Sequence, residues 1–214
     1  MKHLKLELRH WTQADAMELT SLCNAVDRRF LSDRLPNPYT EKDAEEWLKT
    51  VSENEAVTGI YRAIVYDRKL IGSISVEKKD DDAEIGYMIL NDYSNKGIGT
   101  ETVKQICPIA FKVLSLEQIT ANVFHPNIAS IRVLQKNGFK YKGAIPNAVI
   151  KGGNVYDLLT YELSKDYNEE FARFKKIRNN MQNPQTKKKN ESAETLENRI
   201  YDACCFLPRL LQQQ

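Results

Sequence analysis

Leu4, Leu6 and Leu8 alternate with charged residues up to Arg9, and this period of two predicts an opening strand. The period then changes. Ala16, Leu19, Leu22 and Cys23 recur at helical spacing behind Thr12, a residue suited to cap a helix. Arg28 to Tyr39 carries Pro36 and Pro38 and reads as a long irregular connection. Thr40-x-x-Asp43 opens a second helix as a capping box and places Ala44, Trp47, Leu48 and Val51 on one face. Ile60 to Tyr66 and Leu70 to Val76 read as strands joined through a hairpin turn at Asp67, Arg68 and Lys69. A charged turn over Glu77 to Asp82 leads into a third strand, Ala83 to Leu90. The next helix follows Gly97 and offers Val103, Ile106, Cys107, Ala110, Phe111 and Leu114 for burial, with Pro108 expected to kink it. Gln118 to Phe124 is a further strand. A short helix over Asn127 to Asn137 stops at Gly138, and strands over Phe139 to Ala144 and Asn154 to Leu163 close the series. The order β-α-α-β-β-β-α-β-α-β-β predicts an α+β fold, one mostly antiparallel sheet with helices on its faces.

After Leu163 the pattern changes again. Tyr167 to Met181 reads as a basic helix, Gln182 to Ser192 as a polar linker, and Leu196, Ile200, Ala203, Cys204, Leu207 and Leu211 fall at helical spacing. The expected organisation is a domain over residues 1–165 and a basic helical extension over 166–214. The last helix wants a partner surface, either from its own domain or from a second subunit in a homodimer, or else it has no ordered partner.

Composition narrows the classes. With 214 residues and a net charge of +2, the chain is long enough for a real core and carries no electrostatic footprint for nucleic acid. No apolar run reaches the length of a membrane span, and the first residues lack the apolar centre of a signal peptide. Cys23, Cys107, Cys204 and Cys205 show neither zinc spacing nor a disulfide framework, so no metal is expected. These features point to a cytoplasmic protein with reduced, packing cysteines.

The sharpest chemical signal is Ser94-Asn95-Lys96-Gly97-Ile98-Gly99-Thr100, where a strand passes through a glycine-rich turn into a helix. Such a junction aligns backbone N–H groups outward and suits a pyrophosphate; the same glycines also serve a plain strand–helix connection. About thirty residues later comes Asn127-Ile128-Ala129-Ser130, followed by Lys136-Asn137-Gly138-Phe139. Together the two segments resemble the GNAT superfamily of N-acetyltransferases over roughly residues 4–164. The first is similar to its Q/R-x-x-G-x-G/A phosphate motif, the second to its Asn-x-x-Ser…Lys-x-Gly-Phe helix and strand. Leu8-Arg9 with Trp11 and Asp15, and Pro38-Tyr39 with Asp43 and Trp47, are similar to the opening helices of the RimJ/RimL-like branch.

The resemblance implies acetyl-CoA as acetyl donor and a mixed sheet whose parallel strand pair splays at the CoA site. Asn95, Lys96, Gly97, Ile98, Gly99 and Thr100 would hold the pyrophosphate, and main-chain groups around Met88, Ile89 and Leu90 would pair with pantetheine. Asn127 would bond the pantetheine arm or cap its own helix. Ser94 stands where the family has Gln or Arg, a departure expected to tune affinity.

Acetyl transfer to an amine needs a proton acceptor, donors for the oxyanion and support for the departing thiolate. Glu84, on the strand before the phosphate loop, is the candidate base; otherwise it faces solvent or pairs across the sheet. A backbone N–H near Leu90 is the candidate oxyanion donor. The tyrosine that many family members carry as general acid falls here at Leu134, so Ser130 is the substitute, or else it bonds a backbone carbonyl one turn back. The acceptor slot would be walled by Arg28 to Tyr39 and Pro146 to Val155, which makes Arg34, Tyr39 and Asp157 candidate substrate residues; Asp157 alternatively braces its loop. Arg28, Arg29, Arg34 and Lys151 would suit a carboxylate or an acidic peptide. The expected activity is direct transfer in a ternary complex to a primary amine: a peptide N-terminus, an amino acid or a small amine. An antibiotic or polyamine acetyltransferase and a non-catalytic acyl-CoA-binding module are the alternatives.

Overall fold

Alternation along Gly59–Tyr66 and Lys69–Lys79 turns one face of each strand to an apolar core, and the two pair antiparallel across a tight turn. Asp67 and Arg68 both have positive φ there, the backbone of a two-residue turn that matches strand twist. The computed structural model describes residues 6–33, 35–79 and 82–166. Within them the sheet has seven strands in the order β1-β2-β3-β4-β5-β7-β6. These are β1 (Leu6–Arg9), β2 (Gly59–Tyr66), β3 (Lys69–Lys79), β4 (Asp82–Ile89), β5 (Gln118–Phe124), β6 (Lys140–Lys151) and β7 (Asn154–Ser164). All neighbours are antiparallel except β4 and β5, a parallel pair whose ladder is the single register Glu84↔Thr120. The α+β mixed sheet with a splayed parallel pair is therefore present.

Four helices flank it: α1 (Ala16–Ala25), α2 (Glu41–Asn54), α3 (Ile98–Val113) and α4 (Ile128–Lys136). The α2 start is the expected capping box: Asp43 N–H donates to Thr40 Oγ1 at 3.2 Å, and Thr40 N–H donates to Asp43 Oδ2 at 2.8 Å. Leu19, Leu22, Cys23, Tyr39, Ala44 and Leu48 form one core between α1 and α2, against which Met88 and Leu90 of the β4 end pack. The larger core gathers Ile60, Ile64, Ile71, Ile74, Val103, Ile106, Phe111, Ile119 and Leu134 under α3 and α4. At the end of α4, Gly138 takes φ +87° and Phe139 N–H donates to the Leu134 carbonyl at 3.2 Å, closing the helix as a glycine C-cap does.

Two expectations change. The charged turn over Glu77 to Asp82 shrinks, because β3 continues to Lys79 and β4 begins at Asp82. The loop placed over Pro146 to Val155 is instead strand: β6 and β7 form one long hairpin whose turn is Gly152-Gly153, both with positive φ. Pro146 is accommodated by a register shift between Ile145 and Val149. The helix α3 continues on both sides of Pro108, which is exposed. The extension expected beyond Asp166 lies outside the described residues.

Candidate active site

Two consecutive geometric facts open the site. Beyond Glu84↔Thr120, β4 and β5 make no further ladder register, so a gap runs up the sheet between them. Leu90 N–H donates to the Ile71 carbonyl on β3 at 2.9 Å. Because main-chain groups alternate sides along a strand, Met88 and Gly86 also point to β3, while Tyr87 and Ile89 direct their N–H and C=O groups into the gap. The candidate oxyanion donor therefore shifts from Leu90, whose N–H the sheet already engages, to its odd-numbered neighbours.

The gap leads into a cavity of 460 Å³ lined by consecutive residues of both strands, hence by both faces of the sheet. One side presents Tyr87, Ala121, Val123, Asn127, Ser130 and Leu134. The other presents Glu84, Gly86, Asn122, Phe124, Lys79 and Lys151 with the Phe30 to Asp33 segment. Glu84 and Ser130 thus stand on one cavity, approached from opposite faces.

On the first side, Asn127 Oδ1 accepts from Ser130 N–H at 3.2 Å and caps α4, leaving Nδ2 as the donor for a ligand. The Ser130 hydroxyl meets Tyr87 Oη at 2.8 Å rather than a carbonyl of the preceding turn. Burial pushes the Tyr87 phenol up to about 12 against the opposing effect of that bond, so it stays protonated. Leu134, one turn beyond Ser130, is fully buried. On the other side, Glu84 pairs with Lys79 and accepts from Asn122 Nδ2 at 3.2 Å. Burial likewise holds the Cys107 and Cys23 thiols up near 12, so neither offers a thiolate nucleophile.

At the mouth of the gap lies the glycine turn. Ser94, Asn95, Lys96 and Gly97 are exposed, and Asn95 and Gly97 take φ +59° and +77°. A Cβ on Gly97 would meet nothing, so a phosphate can approach the main chain there. The first turn of α3, at Ile98, Gly99 and Thr100, leaves N–H groups without intrahelical partners and carries the positive end of the helix dipole. Asn137, buried behind it, donates to the carbonyls of Thr100 at 3.1 Å and Val133 at 2.9 Å and ties α4 to this turn. These residues fit a pyrophosphate.

The acceptor wall differs most from expectation. Tyr39 is 5% exposed in the α1–α2 core, with its hydroxyl donating to the Asp43 carbonyl at 3.3 Å, so the structure does not bring it to the cavity. Asp157 Oδ1 accepts from Asn147 N–H at 2.9 Å and braces the β6 bulge. Arg34 lies outside the described residues. Arg28 donates to the carbonyls of Cys23, Leu35 and Pro36, and Arg29 pairs with Asp27 at 2.6 Å. Lys151 is held by Asp33 at 2.8 Å and by the Leu31 carbonyl. The described cations are thus engaged internally, which removes the expected preference for a carboxylate. Phe30, Phe124 and Tyr156 stack within 6.5 Å of one another and give this side an aromatic wall. Sequence reasoning missed Tyr87, Lys79 and Asn122. For Tyr87 the signal was present: three residues after Glu84 on a strand, it faces the opposite side, toward α4. Among the described residues no group of side chains is arranged to hold a metal ion, and no helix is long and apolar enough to cross a membrane.

Residues 5–140 match the family model described as an acetyltransferase (GNAT) domain. The "Uncharacterized N-acetyltransferase YoaA" of Bacillus subtilis (strain 168) is 28% identical over 173 residues, covering 75% of this chain and 94% of that protein. Among solved structures, RimL, a ribosomal L7/L12 alpha-N-protein acetyltransferase in complex with coenzyme A, superposes with a TM-score of 0.68 at 17% identity, covering 76% of this chain and 95% of that one. The ribosomal-protein-S5-alanine acetyltransferase from Vibrio fischeri gives 0.67 at 21% identity, covering 78% of this chain and 97% of that one. At these identities the structures share the fold.

Proposed function

Since this chain belongs to the GNAT acetyltransferase family, we propose that it transfers the acetyl group of acetyl-CoA to the primary amine of a peptide N-terminus or a small amine. That it is an acetyltransferase follows from the family match and its N-acetyltransferase relatives. The observation that carries the finer reading is the gap beyond Glu84↔Thr120, with Ser130 on one face of its cavity and Glu84 on the other. Two reactants entering from opposite faces meet there without a covalent enzyme intermediate, and the two thiols among the described residues, Cys23 and Cys107, are held protonated. Acetyl-CoA, when bound, supplies an acyl group activated as a thioester.

The chain's residues divide the work by position. The main chain from Asn95 to Thr100 receives the pyrophosphate, and Ile89 with Tyr87 offers main-chain partners to the pantetheine amides and to the oxyanion. Asn127 Nδ2 adds a donor beside them. Glu84 removes a proton from the acceptor amine, directly or through a water, once the amine displaces Lys79 or Asn122 from its carboxylate. Ser130 donates to the sulfur as it leaves. The acceptor side favours an amine attached to an apolar group: Phe30, Leu31, Phe124 and Leu158 line it, and its charges are paired as Lys79–Glu84 and Lys151–Asp33. RimL is an alpha-N-protein acetyltransferase of ribosomal L7/L12 and the Vibrio fischeri neighbour a ribosomal-protein-S5-alanine acetyltransferase, which supports a peptide acceptor.

A thiol-release screen over N-terminal peptides, amino acids, polyamines and antibiotics tests this reading. Release should be strongest with peptides beginning in small or apolar residues and weak with polyamines. Glu84→Gln should lower the rate and flatten the acid limb of its pH profile. An unchanged profile removes Glu84 as base, and no release with any amine overturns the acceptor class.

A further inference from the structure

Ser130 carries the only side-chain hydroxyl that α4 presents to the cavity; Leu134, on the same face one turn later, has none. A serine hydroxyl in the first turn of a helix ordinarily turns back to a carbonyl, where its proton is lost to any ligand. Here Tyr87, arriving from β4 across the gap, holds Ser130 Oγ at 2.8 Å. The phenol is the stronger acid of the two hydroxyls, so the favoured arrangement has Tyr87 donating and Ser130 accepting. Ser130's own proton must then point elsewhere, and the open side of that oxygen is the cavity.

We propose that Tyr87 is the positioning residue for departure of the thiol, fixing Ser130 so that its O–H is aimed at the sulfur of the acyl donor. The inference rests on the acetyl-transfer reading above. In the step it serves, the amine nitrogen forms a bond to the acyl carbon and the carbon–sulfur bond breaks, its electron pair moving onto sulfur. The proton lost by nitrogen goes to Glu84 and then to solvent; the thiolate leaves hydrogen-bonded to Ser130 and takes a proton from solvent, so the count closes. Tyr87 keeps its proton throughout, since burial holds the phenol up near 12. Its ring packs against the core under α3 and α4, so Tyr87→Phe removes the hydroxyl and keeps the packing.

The test is a double-mutant cycle on the full chain: Tyr87→Phe, Ser130→Ala and both together. It reads kcat and KM for thiol release, acetyl-CoA affinity by calorimetry, and Tm. A hydrogen bond to a developing charge predicts a fall in kcat on the order of tenfold for Ser130→Ala. Tyr87→Phe should give a smaller fall, and the double variant should be no worse than Ser130→Ala alone, with KM and affinity unchanged in all three and Tm lowered by no more than a few degrees. Additive losses, an unchanged kcat in Tyr87→Phe, or a loss that tracks affinity or Tm would each overturn the proposal. If the wild type binds acetyl-CoA but releases no thiol with any amine, the acetyl-transfer reading fails and the inference falls with it. An active wild type with an indifferent Tyr87→Phe sinks the inference alone.

Discussion

Gly97 and Gly99 stand one residue apart in the turn that opens α3, yet alanine should act on them with opposite signs. Gly97 takes φ +77°, where an L-residue costs about 1–2 kcal/mol. Its Cβ would meet no atom, so backbone strain is the whole of the effect on the unliganded fold. At about 2–4 °C per kcal/mol for a domain of this size, Gly97→Ala should lower Tm by roughly 2–8 °C. Gly99 lies inside the helix with no positive φ, and its Cβ would touch Val133 Cγ2 at 3.4 Å, an ordinary contact. Alanine is favoured there by up to about 1 kcal/mol, so Gly99→Ala should leave Tm unchanged or raise it by roughly 2–4 °C. Gly97→Ala also puts a methyl on the open side of the turn, where phosphate oxygens would approach the main chain, and should weaken acetyl-CoA binding. The Gly99→Ala methyl points at Val133 and Ile89 and should leave affinity nearly unchanged. A tenfold loss of affinity removes about 1.4 kcal/mol of ligand stabilisation, hence about 3–5 °C of the shift seen on adding the ligand. Scanning fluorimetry with and without acetyl-CoA separates the two effects. An equal Tm loss in both variants refutes the backbone account, and a full ligand shift in Gly97→Ala refutes the turn as the phosphate site.

Three further changes probe the frame around the site. Arg62 is 6% exposed and its guanidinium meets Glu55 Oε1 at 2.7 Å, so Glu55→Gln, which leaves that charge unpaired, should cost about 3–5 kcal/mol in urea unfolding; a loss under about 1 kcal/mol would contradict it. Gly86 faces the acceptor side with nothing near its absent Cβ, so Gly86→Val should keep acetyl-CoA binding and lower acetylation of bulky amines, whereas undiminished rates would exclude this face as the acceptor path. Burial alone would raise the Asp15 carboxyl, but bonds from Arg9 at 2.9 Å and from Thr12 outweigh it and hold it below the usual range. A depressed carboxylate stabilises the fold above its unfolded value and loses that contribution as pH falls through the folded one. Asp15→Asn should therefore be less stable at pH 7, with the gap closing as pH drops below about 4; a constant gap would show that Asp15 acts through packing.

The local geometry of the candidate cofactor half was legible in the sequence because it is made of short-range chemistry. A capping residue three positions before its partner N–H, a glycine at positive φ and a helix start are each written within a few residues, and Thr40, Gly97, Asn127 and Gly138 all behave as their local context demands. The acceptor half is made of contacts between segments far apart in the chain. Asn24 holds Tyr39 through its carbonyl at 2.8 Å and its N–H at 3.0 Å, and Arg28 gathers the carbonyls of Leu35 and Pro36. Together they fold the Pro36–Pro38 connection so that its tyrosine turns inward to the core. Lys151 reaches back more than a hundred residues to Leu31 and Asp33. A charge count along that loop therefore suggests an anion site, and pairing across the loops cancels it.

Tyr87 lies between these two cases. Its face follows from strand alternation, but its partner lies on α4, far along the chain, which no local pattern encodes. The gap exists because the parallel pair separates after one register, and Tyr87 meets the hydroxyl of Ser130 on α4 beside it. The same separation opens the cavity and frees the main chain of Tyr87 and Ile89. Strand divergence thus exposes the backbone of Tyr87 along the sheet, while strand alternation turns its side chain to Ser130. A substitution that restored pairing between the upper parts of β4 and β5 should therefore occupy the main chain of Tyr87 and Ile89 and lower acetyl-CoA affinity, although it would alter neither residue.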